Sequence, residues 1–306
     1  MPRPKCYPSS SIGLTVDISG NFLDRPETYS ITWDDGFQFW DDAWFKVFHQ
    51  CEPSVVLDII QPLLRNWKHY DLILGFDERV MKLPNAKFLT ESCCSWMDRR
   101  VGGDVQPLLH NFEDNNGLAT LSPIVSNYQG CDVSQKKFAA SFLTSSKGWL
   151  YGHKLRQKIF AYLPDSIDVG LSAGLKIHKH RSPPRIDDKR VTLEPVQFSV
   201  VAENCQQTGY YSEKIVDCFI AKTFPIYWGC PNLVELGFDP EGFLYFEDVD
   251  HLGIRLYQLT PTLYQERHAA IEHNFQHALK SVHQWTLIEN YITEGINRKK
   301  QTGRAW

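Results

Sequence analysis

Apolar positions along this chain follow two rhythms: short β-branched runs, and longer stretches with apolar residues three and four apart. Residues 198–202 (FSVVA) and 224–228 (FPIYW) are short apolar runs and predict buried strands. Between them Ser212 precedes Ile215, Cys218 and Phe219 at helical spacing, which predicts a capped helix. Gly229 and Pro231 stop the second run. Strand, loop, helix and strand in this order form the βαβ unit of a parallel sheet, with a right-handed crossover.

The same patterns recur on both sides of this unit. Weak alternation over 13–18 predicts a first strand. Residues 34–50 open with two acids and carry Phe37, Trp40, Ala43, Trp44, Val47 and Phe48, a spacing that predicts an amphipathic helix. After Cys51-Glu52-Pro53 a second helix is expected over 55–67. A strand follows over 70–76, with Asp77-Glu78-Arg79 leaving its carboxyl end, and another lies within 82–89. Residues 101–130 are polar and read as a connection. A strand over 138–143 and a helix over 153–163 come next, Leu155, Ile159 and Tyr162 sharing one helical face. A further strand is expected over 238–246. Residues 259–295 read as mostly helical, with core faces that include Ala270, Ile271, Phe275 and Ala278. Alternating strands and helices predict an α/β fold. The division is 1–133, 134–260 and 261–306, the last part being helices packed across both domains.

Composition narrows the class. A chain of 306 residues has room for two cores, and 42% hydrophobic residues with nine Trp describe a globular protein. A net charge of −4 argues against a nucleic-acid partner held by bulk electrostatics. Eight scattered Cys without a CxxC pair, and no secretory apolar segment, predict reduced thiols and a cytoplasmic location. No run of eighteen apolar residues predicts a membrane span. The basic tail Arg298, Lys299, Lys300 and Arg304 reads as solvated, with weak peripheral contact to an anionic membrane as the alternative.

Candidate chemistry gathers at the turn of the βαβ unit. Glu203 and Asn204 end the first strand, and Tyr210, Glu213 and Lys214 crowd the helix start. A helix N-terminus offers unpaired N–H groups and partial positive charge, which suit a phosphate. Lys214 adds a full charge, whereas Glu213 would repel a phosphate and suits sugar hydroxyls instead. A plain βαβ scaffold with a capped helix would show the same pattern. Residues 175–190, with Lys176, Lys179, Arg181, Arg185, Lys189 and Arg190 around Pro183-Pro184, form a basic loop. A solvated loop is the default, and a lid over an anionic ligand the sharper alternative. His268, His273, His277 and His283 lack a carboxylate in any metal-binding pattern and read as a helix surface.

The strings AEN, GYYSEKIVDCF and PIYWGCP resemble the donor-binding signature of glycosyltransferase family 10, the α-1,3/1,4-fucosyltransferases (EN…GYVTEK…A…PIYWG). Tyr211 replaces Val and Ser212 replaces Thr, which keeps the capping hydroxyl. GHKLRQKIF, containing Arg156, resembles the family's second donor motif. Glu52-Pro53 followed by GFDE resembles its acceptor-side region, with a longer insert. The resemblance implies a GT-B-like architecture, two Rossmann-like domains facing across a cleft. It implies inverting transfer of fucose from GDP-fucose to a hydroxyl of a glycan acceptor, without metal or cofactor. Arg156 and Lys214 would neutralise the diphosphate, Glu213 would hold sugar hydroxyls, and Asn204 and Tyr210 would complete the donor pocket. Glu52 would be the general base, with Glu91 and then Asp77 in reserve. Asp248 and Asp250 are the nearest imitation of a metal-binding pair. The chain lacks the N-terminal anchor of animal members, which is similar to bacterial or viral ones. A transferase using another nucleotide sugar and a non-catalytic glycan-binding module are the alternatives.

Overall fold

A computed structural model of the chain describes residues 5–7, 29–33, 44–90, 94, 128–163, 168–171, 189–282 and 284–306. They form two parallel sheets of five strands each, flanked by helices. The first contains β1 (Lys5–Tyr7), β2 (Tyr29–Trp33), β3 (Phe45–His49), β4 (Leu72–Gly75) and β5 (Ala86–Phe88), side by side in chain order. Helix α1 (Ile60–Asn66) connects β3 to β4.

The second sheet begins with β6 (Lys137–Thr144), α2 (Tyr151–Tyr162), β7 (Asp168–Leu171), α3 (Arg190–Leu193) and β8 (Val196–Ala202). It continues with α4 (Glu213–Ile220), β9 (Phe224–Trp228) and β10 (Leu244–Tyr245). Helices α5 (Val249–Tyr257), α6 (Pro261–Glu266), α7 (His268–Val282) and α8 (Gln284–Thr302) complete the chain. The spatial order is β10-β9-β8-β6-β7. From β6 the chain therefore steps outward to β7, then returns to the other side for β8, so the direction of winding reverses between β6 and β8. Right-handed crossovers in opposite directions put their helices on opposite faces. Accordingly Leu155 and Ile159 of α2 pack with Phe142, Phe198 and Ile226 on one face, while Ile215 and Phe219 of α4 pack with Phe275 of α7 on the other. At the end of the sheet away from these helix starts, the buried Lys136 ammonium ties the strands together. It donates to the carbonyls of Leu193, Glu194 and Val196 and to Thr223 Oγ1 at 2.8–3.1 Å.

The first sheet is covered differently. Ile60 and Leu63 of α1 pack with Phe48 and Ile73 on one face. Val47, Leu72 and Leu74, on the alternate strand positions, meet Ile288, Ile292 and Ile296 of α8 on the other. The last helix of the chain thus supplies a layer on the first sheet.

Several local expectations are corrected. The stretch read as a helix over 34–50 contains strand β3, and residues 34–43 lie outside the described residues. Phe45, Val47 and Phe48 are all buried, because a sheet covered on both faces erases the alternation that marks a strand. The helix expected from residue 55 starts only at Ile60, after turns at 54–56. The strand expected over 238–246 shrinks to β10, with a 3₁₀ turn at Pro240–Gly242 before it. Tyr162, expected on the core face of α2, is 47% exposed. In the basic tail Arg298, Lys300 and Arg304 are exposed as expected, but Lys299 pairs with Asp71 at 2.7 Å and lies over the Trp44 ring, and Arg298 lies over Trp306. The strand expected over 13–18 and residues 175–188 of the basic loop lie outside the described residues. Among the described residues no helix is long and apolar enough to cross a membrane.

Candidate active site

A cavity of about 230 Å³ opens at the carboxyl ends of β6 and β8, where the winding reverses. In open parallel sheets this crevice is where ligands lodge, since adjacent connections leave in opposite directions and part the strand ends. Leu143, Thr144 and Ser145 line it from β6, and Ser199 to Ala202 from β8. Its charged lining is Arg156, Lys189, Glu213 and Lys214.

Helix α4 starts at this cavity as its sequence requires. Ser212 caps it, its hydroxyl accepting from the Lys214 N–H at 3.4 Å. The fully buried Glu203 carboxylate holds the cap from below. It accepts from the Ser212 N–H at 3.0 Å and the Ser212 hydroxyl at 2.7 Å. The Lys214 ammonium donates to Ser212 Oγ at 2.8 Å and lies 3.3 Å from Glu203 and 3.4 Å from Glu213. Lys189 lies 2.6 Å from Asp217 and 3.6 Å from Glu213. Burial works against ionisation of Glu213, but Lys214 and Lys189 overcome it and hold the carboxyl at about 2.

Arg156 enters from the other face. Its Nη1 donates to the carbonyls of Ala202 (2.6 Å) and Glu203 (3.1 Å), and its Nη2 to Asn204 Oδ1 (3.1 Å). A guanidinium has five N–H donors. Three are engaged at the end of β8, so one Nη2 hydrogen and the Nε hydrogen remain uncommitted among the described residues. Burial pulls its pKa down, Glu203 and Glu213 pull it up, and it stays a cation. Gly152 makes this close approach of α2 possible: a Cβ there would sit 1.9 Å from the Glu203 carbonyl oxygen. His153, one residue on, is buried, its Nδ1 accepting from the Leu150 N–H at 3.3 Å. Burial, then the charges of Arg156, Lys147 and Lys214, push its pKa down to about 4, so it is neutral at pH 7.

The loop after β8 leans on the first sheet. Tyr210 is buried against Phe76, ring centroids 5.3 Å apart, and is absent from the cavity lining given by the described residues. Thr90 donates to the Tyr211 carbonyl at 3.0 Å, and Gln207 to Asp77 Oδ2 at 3.3 Å. Gly209, at φ +79°, turns this loop and donates to Asn232 Oδ1 at 2.8 Å. Glu52 follows β3 at the same end of the first sheet, in a loop rather than at a helix start. Its charge reaches the loop. Burial, then Glu203, then Glu52 raise Cys205 to about 12, and the same three raise Tyr210 well above its ordinary value.

The structure therefore gathers Arg156, Asn204, Glu213 and Lys214 at one sheet end, sets Tyr210 at the contact between the sheets and puts Glu52 across from it. Asp77 is engaged by Arg79 at 2.8–2.9 Å; burial pushes its pKa up, but those bonds outweigh it and hold it low. Glu91 lies outside the described residues. Asp248 caps α5, accepting from the His251 N–H at 2.8 Å. His273 bonds the Gly237 carbonyl and His277 packs on Phe238, while His283 lies outside the described residues. No group of three or more His, Cys, Asp and Glu among the described residues is arranged to hold a metal ion. Sequence reasoning gave no role to Glu203, Gly152 or His153. Their local signals are the Glu-Asn pair of the AEN string and the Gly-His pair that opens GHKLRQKIF.

No family model matches the chain. A 63-residue segment is 36% identical to the α-(1,3)-fucosyltransferase FucT of Helicobacter pylori, and it spans 21% of this chain and 13% of that protein. The crystal structure of an α1,3-fucosyltransferase with GDP-fucose aligns over 78% of this chain and 68% of that one, at 19% identity and TM-score 0.47. TarM of S. aureus, solved with UDP, aligns over 85% of this chain and 55% of that one, at 9% identity and TM-score 0.52. OtsA aligns over 86% and 72%, at 10% identity and TM-score 0.51. The last two likenesses bear on the fold, which is GT-B. Carried on that fold, a 63-residue segment is similar to an α-1,3-fucosyltransferase, and it spans only a small part of that protein's length.

Proposed function

We propose that this protein is an inverting glycosyltransferase that moves fucose from GDP-fucose to a hydroxyl of a glycan acceptor. The observation that carries the reading is the cavity at the β6/β8 reversal, where Arg156, Lys214 and a pinned Glu213 meet. The likeness to a fucosyltransferase supports fucose as the transferred sugar, and the resemblance of the sequence strings implies GDP-fucose as its carrier.

In this reading the acceptor oxygen attacks the anomeric carbon of fucose from the face opposite the phosphate. The bond from that carbon to the β-phosphate oxygen breaks, and GDP leaves with the electron pair. Arg156 receives the developing charge through its two uncommitted hydrogens, and Lys214 adds its field at the α4 N-terminus. Glu213 accepts from hydroxyls of the donor. Asn204 orients Arg156, and Tyr210 holds the loop that closes the donor side. Glu52 takes the acceptor proton: it lies in the loop after β3, close enough for its charge to raise Tyr210 of the loop after β8. Side-chain cations flank the leaving group, so transfer is expected to persist in EDTA. Loss that Mn²⁺ restores would point to a metal site instead.

The direct test is product analysis with labelled GDP-fucose and a small glycan panel, run beside GDP-mannose, UDP-sugars and dTDP-sugars. Fucosylated product from GDP-fucose alone is expected. Preference for another nucleotide sugar would keep the fold and change the donor. Failure to bind any nucleotide, with glycan binding retained, would make the protein a non-catalytic lectin-like module.

A further inference from the structure

Lys189 belongs to a basic run that reads from sequence as a solvated loop, yet its side chain lines the cavity and is only 19% exposed. Its partner Asp217 lies in the second turn of α4, with a side chain 1% exposed. Its helix neighbours Ile215, Val216, Cys218, Phe219 and Ile220 are all buried. A carboxylate among them carries a large desolvation cost unless a cation compensates it. Asp217 also stands four residues from Glu213, on the same helical face, where two like charges repel. Lys189 relieves both, at 2.6 Å from Asp217 and 3.6 Å from Glu213.

The result is a row of alternating charges, Asp217, Lys189, Glu213, Lys214 and Glu203, of which Lys189, Glu213 and Lys214 line the cavity. The two ammonium groups in it are not equivalent. Lys214 faces three acceptors, Ser212 Oγ, Glu203 and Glu213, which matches its three hydrogens. Lys189 makes one close hydrogen bond, to Asp217, and one longer ion pair, to Glu213. Of the two, Lys189 is the one with donor capacity left among the described residues, and it lines the cavity. An incoming anion therefore gains a hydrogen bond from Lys189 without breaking one.

We propose that Lys189 is a third anion-binding cation of the donor site, held in place by Asp217, and that it contacts the diphosphate. This rests on the nucleotide-sugar reading for the identity of the ligand, but not for the presence of an anion site. Two side chains from distant parts of the sequence then grip the phosphates: Arg156 over the end of β8, and Lys189 from the segment before α3.

Calorimetry on the full chain with GDP, GMP and inorganic pyrophosphate tests it, comparing wild type with Lys189→Met and Lys189→Arg. Lys189→Met is expected to weaken GDP and pyrophosphate by about ten- to a hundredfold, and GMP by less. Lys189→Arg, which keeps the charge, should stay within roughly threefold of wild type for GDP. The dependence on ligand charge and the rescue by Arg are effects that a merely structural lysine would not produce. Equal affinities of Lys189→Met and wild type for GDP and pyrophosphate would overturn the inference while leaving the donor reading intact. So would an equal loss in both variants accompanied by lower thermal stability. Wild type that binds pyrophosphate as tightly as GDP, with Lys189→Met weakening both, would sink GDP-fucose as donor and uphold Lys189. Binding of neither ligand by wild type would overturn both.

Discussion

The two sheets share parallel strands and helical connections but differ in how they are wound and covered. The first runs β1 to β5 in chain order, and its second face is covered by α8, a helix from the far end of the chain. The second reverses between β6 and β8 and receives α2 and α4 on opposite faces. Reversal parts the strand ends and brings two helix starts to one crevice, so the second sheet acquires a charged cavity from backbone topology. The first contributes loops that lean on that crevice: Phe76 against Tyr210, Thr90 against Tyr211, and Glu52 within electrostatic reach of both Cys205 and Tyr210. In the function proposed above, one half holds an anion and the other presents a base. That division can be broken experimentally.

The largest effect is expected on the first sheet. Glu52→Gln should lower transfer by about a hundred- to ten-thousandfold, with GDP affinity and thermal stability near wild type. A parallel loss of GDP affinity in calorimetry would mean that Glu52 serves the donor, and the division of labour would fail. On the second sheet, Arg156→Ala and Lys214→Ala should each weaken GDP binding and lower transfer by about a hundred- to a thousandfold. Arg156→Ala should also lower the melting temperature, because the Ala202 and Glu203 carbonyls lose their donor. Unchanged GDP affinity in both variants would remove the second sheet from donor binding.

Two smaller effects separate stability from the site. Ile292→Ala on α8 should cost about 2–5 kcal/mol in denaturant unfolding, without changing GDP affinity, since Ile292 packs on the first sheet's far face. A negligible cost would show that α8 is not needed as that sheet's cover. His153 gives a pH signature. Its pKa is about 4 when folded and ordinarily 6.5, so the unfolded chain binds more protons between these values. Stability is therefore complete above pH 6.5 and falls as the pH drops towards 4, by about 3 kcal/mol at most from this group. His153→Gln should flatten that part of the profile; an unchanged slope in thermal melts would assign it to other groups.

Local chemistry makes much of the second sheet legible in the amino-acid sequence. β8 and β9 are short β-branched or aromatic runs, Ser212 is a capping residue before a helical pattern, and Arg156 sits early in an amphipathic segment. Each is a property of neighbours in sequence, so pattern and resemblance find them. β3 is hidden because burial on both faces removes the period of two, and its aromatic residues then fit a helix equally well. The exposure of a charge is not local either. Lys189 reads as loop charge because Asp217, which holds it, is 28 residues away, and Glu203 gains its role only by lying beneath Ser212 and Lys214. Tyr210 belongs to the donor string yet packs its ring on Phe76, more than a hundred residues earlier. The βαβ unit and the residue types at its turn follow from local sequence. The reversal that opens the cavity, the pairing of its charges and the crossing of α8 were decided by tertiary structure, because each depends on long-range packing that no local periodicity records.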